Sequence, residues 1–400
     1  MDGYNKTLAY GAAAGVTLYY GASKYVENSK VKLVLDDNAN RKDEILVHSL
    51  IEKHCPSLSN SAKAYLLPSP FLCTGTLQTI YCSGIALKRD KLSNIKYERE
   101  LREMSDGGTV SIDWYPGRSN SDAESTQPIA IVIPGLGGSS YEYHIRSLAK
   151  HLAENSQSKF SVAAINHRGS GRTPLTSSKL YNAYDTSDLH EIVQYISESF
   201  PRARLVCIGF SMGANILTRY MGEEGDHSKL SAAIVISCPF DMLIAGRALS
   251  TPGFLNDRLF QPSLMATLRR VLERNIDMIK TSKVGYNIDA VLKAKRVSDV
   301  DDHITAKAYG FSNCWEYYKA ASSSTSVDEI RRPFLAISAA DDPITPIEGV
   351  PVDKFKHNPN TALVIVKHGG HIGFFSGISP RIWFMQPVAE FFDAVLVGNV

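Results

Sequence analysis

The stretch RLVCIGFSMGANILTRY, residues 204–220, decides how this chain folds. Its first part, 204–210, is a short apolar run of strand length. Its second part, 212–221, carries apolar residues at helical spacing. They meet at Gly209-Phe210-Ser211-Met212-Gly213, which reads G-x-S-x-G. Glycine and serine are common, so the motif alone is weak. Where a strand ends and a helix begins it gains meaning, because glycines on both sides let the backbone turn sharply and lift the serine hydroxyl above the sheet edge. The plainer reading is an ordinary strand-to-helix turn.

The same alternation extends to both sides. Apolar runs at 129–133, 160–165, 232–238, 334–339 and 362–366 read as strands, and helical patterns fill 141–152, 185–200 and 385–396. Apolar strands alternating with helices predict an α/β fold: a mainly parallel central sheet with helices on both faces. Residues 109–114 (TVSIDW) alternate well after Asp106-Gly107-Gly108, so 95–114 reads as two strands joined by a tight turn. Residues 42–54 carry a weak helical stripe, and 65–87, with Pro68 and Pro70, reads as an extended wrap. Residues 239–330 break the alternation and are helix-rich. They are expected to form a cap over the carboxyl ends of the strands. The chain then divides into an N-terminal extension, 1–94, and a main domain, 95–400.

Composition narrows the function classes. The chain has 400 residues, 44% of them hydrophobic and 21% charged, which excludes disorder and low-complexity polymers. Lys and Arg number 43 against 41 Asp and Glu, net +2, so no general field attracts nucleic acid. Six scattered cysteines form no C-x-x-C pair and suit reduced thiols in an intracellular protein. Residues 8–22 (LAYGAAAGVTLYYGA) lack charge, but these 15 residues fall short of the roughly 20 that span a bilayer. They are read as a helix packed on the body or as a membrane-associated anchor, ahead of a cleaved signal.

A serine hydroxyl needs a general base. Five histidines follow Ser211: His227, His303, His357, His368 and His371. His371 lies in GGHIGF, 369–374, in a loop just past the last strand run, and is preferred over His368. The H-x-x-H pair they make lacks a cysteine or acidic set that would suggest metal. The base needs an acid to fix its tautomer. DDPITP, 341–346, follows the strand run 334–339. Asp342 is preferred there, with Asp341 as neighbour or substitute and Asp241 as a third position whose plainer use is a helix cap. The chain order is Ser, Asp, His. Backbone N–H groups of Met212, at the helix start, and of Leu136, in PGLGG at 134–138, are the candidate oxyanion donors. A phosphate-loop reading of PGLGG fails for want of the following lysine.

At these motifs the chain resembles the α/β-hydrolase family that includes the α/β-hydrolase-domain phospholipases and the yeast medium-chain fatty acid ethyl ester synthase/esterases. The similar pieces are DGGTVSIDW at 106–114, PGLGGSS at 134–140, NHRGSGRTPLTSSKLYNAYDTSDL at 166–189, GFSMGANILTRY at 209–220, SAADDPITP at 338–346 and GGHIGFF at 369–375. One departure is Pro134, where the family often carries His. The resemblance implies a serine hydrolase without cofactor or metal, acting on lipid-type carboxylic esters. Medium acyl chains are favoured, and an alcohol can accept the acyl group as well as water. It also implies contact with a membrane or lipid-droplet surface through the N-terminal segment. A phospholipase or monoacylglycerol lipase, a thioesterase or peptidase on the same residues, and a non-catalytic lipid-binding protein are the other readings. Arg168 and Arg172, in HRGSGR, are read as surface-loop residues making ion pairs, with a headgroup contact as the alternative.

Overall fold

The computed structural model describes residues 29–36, 47–60, 63–64, 66–85, 95–117 and 124–398, so the segment 8–22 lies outside it. Strands β1 (Lys32–Val34), β2 (Glu98–Glu103), β3 (Thr109–Tyr115), β4 (Ile129–Ile133), β5 (Ser161–Asn166), β6 (Leu205–Phe210), β7 (Leu230–Ile236), β8 (Phe334–Ala339) and β9 (Thr361–Val366) form one sheet, ordered β1-β9-β8-β7-β6-β4-β5-β3-β2. Strands β4 to β9 pair in parallel, and β1, β2 and β3 join antiparallel. The winding reverses at β4, which has β5 on one side and β6 on the other. Loops leaving the carboxyl ends of strands at such a reversal diverge and open a crevice, where ligands of open α/β sheets bind.

The parallel strands are apolar along both faces because both faces are covered. In β4, Ala130 and Val132 enter one core with helices Tyr143–Glu154 and Met385–Val397. Ile129, Ile131 and Ile133 enter the opposite core with helices Ser187–Ser199 and Met212–Glu224. A one-sided sheet would have needed polar residues at every second position.

The N-terminal segment takes part in this body. β1 pairs with β9 in the register Lys32↔Ile365, and Ser57 Oγ donates to Glu390 on the last helix at 2.6 Å. The stretch 65–87, expected to be extended, instead contains helix Gly75–Ile80 running into a wider turn, Tyr81–Ile85. Thr74 caps it by accepting the Leu77 N–H at 3.3 Å. Pro68 and Pro70 stand before the helix and do not interrupt it. Among the described residues no helix is long and apolar enough to cross a membrane. Cys55, Cys82, Cys207, Cys238 and Cys314 are buried thiols, and Cys73 is exposed.

Arg168 corrects the surface-loop reading. It is 1% exposed, and its guanidinium meets Asp188 at 2.6 and 2.8 Å and Asp106 at 2.8 Å. This pins the loop after β5 to the turn before β3. Removing the cation would leave two facing carboxylates around a hole. We expect Arg168→Met to lower stability by about 2–3 kcal/mol in denaturant titration, below the fully buried limit because both aspartates keep some solvent. A loss under half a kcal/mol would show the pair to be dispensable.

Candidate active site

Ser211 follows β6 directly and adopts φ 51°, ψ −119°. A side chain rarely takes that conformation, at a cost of about 1–3 kcal/mol. The surroundings hold it: Ser211 N–H donates to Ile236 O at 2.9 Å, and its carbonyl accepts from Ala214 and Asn215 at 2.9 and 3.1 Å. The two motif glycines are needed for close approach. A Cβ on Gly209 would stand 2.5 Å from Gly213 O, and one on Gly213 would stand 2.4 Å from Pro134 O. The turn can therefore be this tight only because both side chains are missing.

The loops after β8 and β9 bring the other two groups to Ser211. His371 Nε2 lies 2.8 Å from Ser211 Oγ, and His371 Nδ1 lies 2.9 Å from Asp342 Oδ2. Asp342 also accepts the N–H groups of Ile344 and Thr345 at 2.8 and 2.9 Å and the Thr345 hydroxyl at 2.7 Å. Burial pushes its carboxyl upward. The His371 charge, its hydrogen bond and the Thr345 donors outweigh burial, so the group stays below the usual carboxylate range. His144, buried behind Phe210 at 4.7 Å between ring centroids, is pulled down to about 3 by burial and then by His371, and stays neutral.

The alternatives fall elsewhere. Asp341 meets His368 Nδ1 at 3.0 Å and accepts the N–H groups of Gly75, Gly369 and Gly370 at 2.7, 2.9 and 3.0 Å. The two histidines of the H-x-x-H pair are thus divided between two aspartates. Asp241 caps helix Met242–Ser250 through Ile244 N–H at 2.9 Å.

The turn 134–138 leaves β4, next to β6, and packs on the serine: a Cβ on Gly135 would stand 3.1 Å from Ser211 Cβ. Within it, Gly138 N–H returns to Gly135 O at 3.0 Å and Gly137 N–H goes to the Tyr181 hydroxyl. Leu136, between them, lines one cavity with Ser211, Met212 and His371. Met212 is the first residue of its helix, so its N–H has no carbonyl one turn back to bind. The turn is anchored by Ser140, whose N–H donates to Asn166 Oδ1 at 2.8 Å and whose hydroxyl donates to the fully buried Asp113 at 2.5 Å. Arg99 holds both Asp113 oxygens at 2.7 Å. The motifs at 106–114, 134–140 and 166–189 therefore meet in one buried polar network.

Sequence reading missed several supports. Thr79 Oγ1 accepts the His371 N–H at 2.8 Å, and Gln78 Oε1 accepts the Phe375 N–H at 2.6 Å, so a helix far away in sequence clamps the histidine loop. Nothing in that helix signals the role. Thr345 was findable, since Asp-Pro-Ile-Thr is a side-chain-to-backbone turn signature.

The insertion between β7 and β8 covers the cavity with helices Met242–Ser250, Gln261–Arg274 and Cys314–Ala321. Apolar content alone does not place a residue on its inner face: Leu243, Phe254, Leu255, Phe260 and Met265 do not line the cavity, and Phe254 is 75% exposed. The cavity's apolar lining includes Met242, Leu249, Leu264, Leu268 and Val271. Leu264, Leu268 and Val271 stand at i, i+4 and i+7 on one helix stripe, and Met265 points from the neighbouring one. Tyr317 and Tyr318 are both packed and lining.

Residues 128–378 match the model of the alpha/beta hydrolase fold family. The chain is 30% identical to the medium-chain fatty acid ethyl ester synthase/esterase 2 of Saccharomyces cerevisiae, over 94% of this chain and 95% of that one. It is 29% identical to the monoacylglycerol lipase of the same yeast, over 89% and 86%. To the phospholipase ABHD3 of Mus musculus it is 30% identical, over 87% and 82%. With a sheet that reverses at β4 and a serine on a strained turn after β6, the chain belongs to the α/β-hydrolase fold family.

Proposed function

We propose that the protein is a serine hydrolase of lipid-type carboxylic esters. Ser211 Oγ attacks the ester carbonyl while His371 Nε2 takes its proton, and Asp342 holds the ring and stabilises its cation. The N–H groups of Leu136 and Met212 receive the oxyanion. His371 then returns the proton to the leaving alcohol. Water, or a second alcohol, attacks the acyl-enzyme by the reverse steps, so hydrolysis and acyl transfer share one machinery. The observation that carries this reading is the unbroken chain Ser211 Oγ, His371 Nε2, His371 Nδ1, Asp342 Oδ2, with contacts of 2.8 and 2.9 Å at the floor of an apolar cavity. The relatives named esterase, lipase and phospholipase support the same class of substrate.

An apolar tail offers no hydrogen bonds to read, so chain length is selected by how many methylenes fit, at about 0.8 kcal/mol each. Across p-nitrophenyl esters from acetate to palmitate, kcat/KM is expected to rise, peak at medium length and fall. Leu264→Trp, which fills the cavity, is expected to move the peak to shorter chains. Adding ethanol should divert part of the acyl group into ethyl ester. A flat profile that Leu264→Trp leaves unchanged would refute acyl selection by this cavity, and failure of a fluorophosphonate to label Ser211 would refute the hydrolase reading.

A further inference from the structure

The turn that carries Leu136 reads Pro134-Gly135-Leu136-Gly137-Gly138, and its glycines leave the backbone soft. Gly137 stands at φ 64°, a conformation glycine takes as readily as its mirror image. An oxyanion donor works only when its N–H already points to where the charge will develop. Inside the turn, the bond from Gly138 N–H to Gly135 O at 3.0 Å closes one side. The rest of the hold has to come from outside it.

Two rings from the loop after β5 supply that hold. The Tyr181 hydroxyl accepts Gly137 N–H, and His167 Nε2 donates to Pro134 O at 3.4 Å. The rings lie flat on each other, with centroids 4.2 Å apart and planes 2° apart. One stacked slab therefore grips the turn on both sides of Leu136. Burial pulls His167 down to about 4, against the Asp188 charge and the Pro134 bond, so the ring is neutral at neutral pH and holds its one proton for the carbonyl. Burial pushes the Tyr181 phenol up to about 12, against the Gly137 bond, so it keeps its proton. The pair thus adds no charge beside the reacting centre. On the far side the turn meets the cap: a Cβ on Gly137 would stand 2.5 Å from Thr267 Cγ2. Apolar side chains would fill the place of the two rings without burying polar atoms. What the rings add is one hydroxyl and one ring nitrogen, both aimed at the backbone of this turn.

We propose that Tyr181, held flat by His167, is a positioning residue that fixes the oxyanion turn before the substrate arrives. Its hydroxyl acts through the Gly137 amide on the neighbouring peptide, whose Leu136 N–H receives the oxyanion. Without it the Leu136 amide samples other directions, and the transition state loses a donor that the bound ester hardly uses. The inference rests on the ester-hydrolase reading above.

The test is Tyr181→Phe in the full chain, which keeps the ring and the stack and deletes one oxygen. Active enzyme is counted by fluorophosphonate titration. With p-nitrophenyl octanoate, kcat per active molecule is expected to fall about tenfold to a hundredfold, less than outright loss of an oxyanion donor, with KM within about threefold of wild type. The second readout is 1,1,1-trifluoro-2-decanone. Ser211 Oγ adds to its carbonyl carbon, the hydroxyl proton passes to His371 Nε2, and the carbonyl oxygen becomes an oxyanion in the same hole. Its inhibition constant is expected to rise by the factor that kcat/KM falls. An unchanged inhibition constant would make Tyr181 a merely structural residue and overturn the proposal. A raised KM at unchanged kcat would make it a substrate contact and overturn it as well. If the variant does not fold, hydrogen exchange at the wild-type Gly137 amide decides. Protection of about a hundredfold or more in the free enzyme, unchanged by the ketone, is expected. Fast exchange that slows only with the ketone would show a turn formed by the ligand and would overturn the proposal. If wild type neither turns over the ester nor is labelled, the hydrolase reading itself falls, an outcome distinct from the others.

Discussion

Replacing Ser211 with Ala is expected to abolish ester turnover, lowering kcat on the order of 10⁴-fold or more while the fold is kept. The substitution removes one oxygen, the atom that His371 Nε2 contacts at 2.8 Å. Among the described residues Ser211 Oγ is the one side-chain group bonded to His371 Nε2, and the nearby Ser237 and Cys238 are engaged elsewhere: Ser237 is buried and bonded to Ile372 N–H at 3.0 Å, and Cys238 is buried against Thr218 and Ser323. The backbone bonds that hold the turn do not involve the hydroxyl, so the alanine protein should melt close to wild type. Turnover of p-nitrophenyl octanoate, an ester inside the expected length range, is the measurement. Residual activity within tenfold of wild type in a folded protein would refute Ser211 as the nucleophile.

Asp342→Asn is expected to cost nearly as much, on the order of 10⁴-fold in kcat, with little change in melting temperature. Asparagine keeps the shape of the side chain but can present an N–H₂ to His371 Nδ1. That would hold the ring in the tautomer whose Nε2 carries the proton, and such a ring cannot take one from Ser211. Asp341→Asn should behave in the opposite way. Its two oxygens accept three backbone N–H groups and face His368, a set that one amide oxygen cannot satisfy. Its cost is therefore expected in stability, about 1–3 kcal/mol, with kcat per folded molecule reduced far less. Thermal unfolding and active-site titration of the two variants separate the outcomes. A larger loss of kcat in Asp341→Asn at equal stability would reverse the assignment.

The sequence alone determined the elements that depend on local pattern. Strand 205–210, helix 212–224 and the turn between them are written in one stretch of apolar run, glycine, serine and helical spacing. The other parallel strands are written in the same way, because a strand covered on both faces must be apolar along its length. It also singled out Ser211, Asp342 and His371, each in a loop after a strand run, where a parallel sheet collects its loops at one edge. Tertiary structure decided what depends on partners distant in the chain. Asp341 and Asp342 are adjacent and chemically identical, and they differ only in which histidine and which amides the fold presents to each. The clamp of Gln78 and Thr79 on the histidine loop joins residues 297 and 292 positions apart, and no local pattern can encode that. The cavity wall followed the same rule. The amount of apolar residue in 239–330 was legible, but whether Leu264 or Phe254 faces Ser211 is set by how the helices are rotated as they pack. Asp301 stands between Asp299 and Asp302 with no motif to mark it, and only the fold sets the Tyr318 and Thr305 hydroxyls against its carboxyl.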